Sequence, residues 1–170
     1  MTNFTHKMFS NVAIRVVTLA LLLVVGASAT VTAADDQVPW TATGTALLTG
    51  VTKLPGGLTQ LDGITSGNAT HLGDFTGPVT RIQNNQGNFN STFVFIGANE
   101  KDSVFLTTSG QFETSKDKCL ITSTGIYIVT GGTGAFANAT GSGTITTQTD
   151  LCAGTATGTF TGTISKPNSN

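Results

Sequence analysis

The sequence predicts an all-β fold, an eight-stranded antiparallel β-barrel, and three observations carry that prediction. Threonine and glycine are abundant while the long helix-forming residues are scarce. β-Branched threonine suits strands, and glycine suits the turns between them. Apolar or small residues alternate with polar ones at period two in one segment after another, as in strands that bury one face. Turn signals built from Gly, Asn, Asp and Pro separate these segments at roughly ten-residue intervals, the spacing of a sandwich or barrel.

The elements follow in order. Residues 1–34 read as a signal peptide. Lys7 and Arg15 form a weakly basic start, and residues 16–25 are apolar apart from Thr18. That run suits an export signal and is short for a membrane span. Ala27-Ser28-Ala29 and Val31-Thr32-Ala33 both offer small-x-small cleavage sites. The predicted product is a secreted or periplasmic protein with one β-barrel domain over 35–166, a frayed tail over 167–170 and no membrane span after cleavage. The first strand, 40–50, sets Trp40, Ala42, Gly44, Ala46 and Leu48 against a threonine-rich face. Pro55-Gly56-Gly57 marks a turn. Residues 68–82 carry two strand-like pieces around Gly73-Asp74, with Gly77-Pro78 as a break. Strands then follow at 89–96, 103–112, 119–130, 141–149 and 155–165. Closure of the last strand onto the first would remove two exposed edges. In the last strand Ala156, Gly158 and Gly162 alternate with Phe160 and Ile164, the small-and-large pattern that fills a tapered barrel.

Charge and cysteine usage narrow the function classes. Lys and Arg number 8 against 9 for Asp and Glu, so no basic field exists to hold nucleic acid. Cys119 and Cys152 are the two cysteines, and in an exported chain they read as a disulfide. Two cysteines without a nearby histidine do not make a metal site. No cofactor motif is present. The loop Gly131-Gly132-Thr133-Gly134 lacks the Lys-Ser/Thr ending of a phosphate-binding loop and opens no helix. Its glycines suit a tight turn, with Phe136 plugging the barrel end.

Three segments carry a family resemblance: Gly67-Asn68-Ala69-Thr70-His71-Leu72-Gly73-Asp74-Phe75-Thr76, Gly125-Ile126-Tyr127-Ile128-Val129-Thr130 running into Gly131-Gly132-Thr133-Gly134-Ala135-Phe136, and Thr159-Phe160-Thr161-Gly162-Thr163-Ile164. From about Thr43 to Ser165 the chain resembles the allene oxide cyclase barrel-like family, as found in exported bacterial proteins. Plant allene oxide cyclases and dirigent proteins are more distant. The resemblance implies an eight-stranded barrel, a Gly-Gly-Thr-Gly turn between two late strands, and possible assembly as a homo-oligomer, a trimer in the relatives. In the plant enzymes the barrel interior steers cyclisation of a fatty-acid epoxide, assisted by a glutamate near the first strand. The matching strand here, 40–50, contains no acid.

Candidate functional residues are few. His71 and Glu113 are the candidates for acid–base chemistry, because general catalysis needs a titratable group within hydrogen-bond reach of the reacting atom. Asp74 lies three residues from His71, a spacing that puts strand side chains on opposite faces. Phe89, Phe93, Phe95, Phe105 and Phe112 are candidates to line an apolar ligand pocket, with a packed core as the alternative. The sequence therefore supports a non-catalytic exported barrel that binds a small apolar or amphipathic ligand or has a structural role at the surface. The alternative is a cyclase or isomerase that shapes an apolar substrate.

Overall fold

The structure, a computed structural model, describes residues 36–168; the predicted signal peptide lies outside them. Eight strands form one closed barrel in sequence order: β1 (Gln37–Leu54), β2 (Leu58–Ala69), β3 (Gly73–Gln83), β4 (Asn88–Gly97), β5 (Ser103–Thr114), β6 (Leu120–Thr133), β7 (Gly141–Asp150) and β8 (Thr155–Ser165). Every neighbouring pair is antiparallel. The seam is an eleven-pair ladder from Gln37↔Ser165 to Leu47↔Thr155, so the predicted closure of the last strand onto the first is present.

Two elements differ from the sequence prediction. β2 begins at Leu58 and is continuous to Ala69, where no strand was predicted before residue 68. Its inward positions Thr59, Leu61, Gly63, Thr65 and Ala69 are buried, but threonine and glycine among them blur the apolar period. β3 runs through Gly77-Pro78 without a break. Pro78 lies opposite Ile64 of β2 and is exposed, while Gly77 and Pro78 drop out of the ladder to β4 without shifting its register. A proline is tolerated where its missing N–H is not needed by the ladder. Beyond β8, Lys166 N–H donates to Asp36 O and Asn168 N–H to Ala135 O, both at 2.8 Å.

Turn positions divide the barrel into two ends. At one end lie the β2–β3, β4–β5 and β6–β7 connections, and at the other the β1–β2, β3–β4, β5–β6 and β7–β8 connections. The first end is packed solid. Trp40, Phe95, Tyr127 and Phe160 form its centre, with Trp40 and Tyr127 fully buried and their ring centroids 5.3 Å apart. Phe75 stacks on Phe95 at 4.0 Å. Tyr127 fills space that paired glycines leave: a Cβ at Gly143 would sit 2.6 Å from Tyr127 Cε1, and one at Gly162 would sit 2.5 Å from its hydroxyl. The Tyr127 hydroxyl donates to Thr163 O at 3.2 Å, and burial raises its pKa to about 12.

The Gly131–Phe136 segment caps this end. Gly134 has φ of 58°, and a Cβ there would collide with the Asp102 carboxylate. That carboxylate accepts the Ala135 N–H at 2.8 Å and the Asn99 amide at 2.7 Å. Phe136 is buried in the core cluster, in the place expected for a plug. The loop is thus an end cap, and the closing seam lies elsewhere, between β1 and β8.

Candidate functional site

The other end is open. Inward residues of the seam are small: Gly44 pairs with Gly158, and Ala46 with Ala156. Gly67 continues the glycine row onto β2. No aromatic ring fills the volume beside Gly158, whose nearest neighbour to an added Cβ is the Thr147 methyl at 3.2 Å. A cavity of about 70 Å³ results, with apolar walls from Leu48, Leu61, Val79, Phe89 and Ile145. Its floor is the aromatic layer of Phe75, Phe93, Phe95 and Phe160 shared with the packed end. Phe93 and Phe160 meet edge to face there, with centroids 5.3 Å apart.

Among the described residues, one charged side chain lines this cavity. Phe75 fixes the phase of β3 by pointing inward, so Val79 and Arg81 point inward too. Arg81 is only 8 % exposed. Its guanidinium carbon lies 4.1 Å from the centroid of Phe89 and 5.2 Å from that of Phe112. Nε donates to Gln83 Oε1 and Nη1 to Ser123 Oγ, both at 2.9 Å. Nη2 is buried with no hydrogen-bond partner. Both acceptors are neutral, and burial lowers the Arg81 pKa to about 10. A second orphaned polar atom, Thr147 Oγ1, belongs to another lining residue.

The disulfide Cys119–Cys152 ties the rim of the open end. It joins the β5–β6 turn to the β7–β8 turn with Cα atoms 5.2 Å apart. Leu151 N–H donates to Cys119 O beside it, and Leu48 N–H donates to Gly154 O, each at 2.8 Å. The rim is therefore fixed to both β6 and β1.

The residues singled out in the sequence separate into groups. Phe89, Phe93 and Phe95 line the cavity. Phe112 lies against Arg81. Phe105 does not belong with them: it pairs with Val94 and follows inward-facing Val104, which puts it on the opposite face. Glu113 is exposed opposite Thr122, one residue out of phase with the interior. His71 is exposed in the β2–β3 turn with φ of 68°, at the packed end and away from the cavity. Neither acid–base candidate reaches the cavity. Among the described residues no group of three or more His, Cys, Asp or Glu could hold a metal ion, and no helix is long and apolar enough to cross a membrane. Sequence reasoning missed Arg81. The signal was available in the alternation Phe75, Gly77, Val79, Arg81, once the presumed break at Gly77-Pro78 is removed.

Comparison with family models, with curated proteins and with solved structures finds no match to this chain.

Proposed function

We propose that this chain is an exported, non-catalytic β-barrel protein that binds a small amphipathic ligand in the cavity at its open end. The observation that carries the reading is the asymmetry of the barrel interior: one half is filled by aromatic side chains, and the other is left hollow by Gly44, Ala46, Ala156 and Gly158. Small barrels that keep such a space commonly use it for one ligand. Export is supported by the disulfide, which persists in oxidising compartments. Membership of the allene oxide cyclase barrel-like family is part of the proposal, supported by the eight-stranded topology and by the Gly131–Phe136 cap. Binding is favoured over isomerase chemistry because, among the described residues, no aspartate, glutamate or histidine lines the cavity.

Native mass spectrometry of protein purified from its own host tests the reading. The expected spectrum carries a small-molecule adduct that organic solvent removes. Ala156→Leu, which places a larger side chain in the cavity, abolishes the adduct and changes stability by less than about 1.5 kcal/mol, because the added volume enters empty space. Adduct-free protein that also takes up no added amphiphile contradicts the proposal.

A further inference from the structure

We infer that Arg81 binds the carboxylate of the cavity's ligand, so that the ligand class is a monocarboxylate with an apolar body. The inference rests on the reading of the cavity as a ligand site and adds the chemistry that the site selects.

A guanidinium presents five N–H donors and no acceptor. Two are used, by Gln83 and Ser123, leaving one on Nη1 and both on Nη2. Two adjacent nitrogens with free N–H groups are what a carboxylate engages in a paired hydrogen bond. Phe89 and Phe112 lie against the group, and the Gln83 and Ser123 bonds hold it in place. No carboxylate among the described residues hydrogen-bonds to it. Buried charges are ordinarily paired, because an unpaired one costs several kcal/mol. A chain that keeps a positive charge in an apolar cavity, lined also by Thr147 with its unpartnered hydroxyl, leaves its counter-charge to something that enters.

The cavity limits what enters. About 70 Å³ is roughly half of the ~150 Å³ cavity that accepts benzene in an engineered core. It suits a short acid, or the carboxylate and first carbons of a longer one whose chain leaves through the mouth. A phosphate dianion is disfavoured, because its second charge would meet apolar walls with no second cation.

The test is a titration of uniformly ¹⁵N-labelled full-length mature protein with sodium butyrate, sodium octanoate, 1-octanol and sodium phosphate. It follows the Arg81 Nε–H resonance and measures affinity by calorimetry. Octanoate is expected to shift that resonance and to bind at least ~10-fold more tightly than octanol. In Arg81→Met that preference disappears while octanol affinity stays within about twofold. Arg81→Lys keeps the charge and part of the preference, and guards against a Met variant that fails to fold. Butyrate equal to octanoate identifies a short acid; octanoate tighter than butyrate identifies the head of a longer chain; both support the inference. Octanol binding as tightly as octanoate, with no Arg81 shift, overturns it and leaves the cavity reading standing. Phosphate binding as tightly as octanoate overturns the carboxylate assignment. Binding of none of the four overturns both.

Discussion

Two glycines four residues apart on β8, both facing inward, do opposite things. Gly162 belongs to the packed end, where the space left by its missing side chain is taken by the Tyr127 hydroxyl. Gly158 belongs to the open end, where it pairs with Gly44 and leaves a hollow. The same residue type thus serves close packing at one end and vacancy at the other. The difference lies in what the facing strands supply. Tyr127 on β6 reaches over Gly143 and Gly162, whereas Gly158 faces Thr147 on β7 and Thr147 in turn faces Ser123 on β6.

The largest effect should come from the rim. Replacing both cysteines by serine frees a loop of separation 33 and is expected to lower unfolding free energy by ~3–4 kcal/mol in the chain-entropy account. If the two ends are energetically distinct, Trp40 fluorescence in the folded double variant stays native, because Trp40 lies in the packed end. A changed native spectrum would mean that the disulfide organises the whole barrel.

Next comes the glycine pair itself. Gly162→Ala pushes a methyl into Tyr127 and into the neighbouring β7 backbone, and is expected to cost ~1–3 kcal/mol. Gly158→Ala meets the Thr147 methyl at 3.2 Å and the Thr146 carbonyl at an ordinary 3.6 Å, and should cost less than Gly162→Ala while reducing ligand uptake. Equal costs in denaturant titration would remove the distinction between the ends.

The smallest effect is set by pH at the cap. Hydrogen bonds from the Ala135 N–H first, and then from the Asn99 amide, hold Asp102 below the usual carboxylate range. A depressed folded-state pKa stabilises the fold above the unfolded value of 3.8 and is lost as pH falls through the lower folded-state value. Acid should therefore loosen the Gly134–Phe136 cap, read as faster amide exchange at Ala135. Asp102→Asn should remove most of that pH dependence, and an unchanged dependence would contradict the assignment.

The barrel was legible in the sequence because seven of its strands alternate visibly, and 40–48 shows inward Trp, Ala, Gly, Ala and Leu against threonine. β2 was not, because Gly63, Thr65 and Gly67 on its inner face carry little apolar signal, and a strand whose partners supply the bulk need not announce itself. Pro78 read as a break because proline removes a ladder donor, yet it sits on the exposed face of β3 and costs only the β4 pairing of Gly77 and Pro78, with the register kept. That one reading hid the site: with β3 broken, Arg81 had no phase and was not singled out. Of its partners, Gln83 is two residues along β3, but Ser123 is 42 residues away and meets it only through the fold of the barrel. His71 and Glu113 drew attention by chemical type, and geometry places both outside.

The measurement that bears most directly on the central claim is thermal unfolding of wild type and Arg81→Met with and without sodium octanoate. Burial lowers the Arg81 pKa from its ordinary value to about 10, which corresponds to a cost of roughly 3 kcal/mol. Because this cation's pKa is depressed by folding, the cost is present in full below pH 10 and shrinks as pH rises above it toward the unfolded value. At neutral pH Arg81→Met is therefore expected to unfold at a higher temperature than wild type without ligand, since methionine keeps contact with Phe89 and Phe112 and carries no charge. Octanoate is expected to raise the wild-type midpoint well above its shift in Arg81→Met, where octanoate does no more than 1-octanol. A variant less stable than wild type, with the same octanoate shift in both proteins, would show Arg81 to be a structural residue and contradict the account.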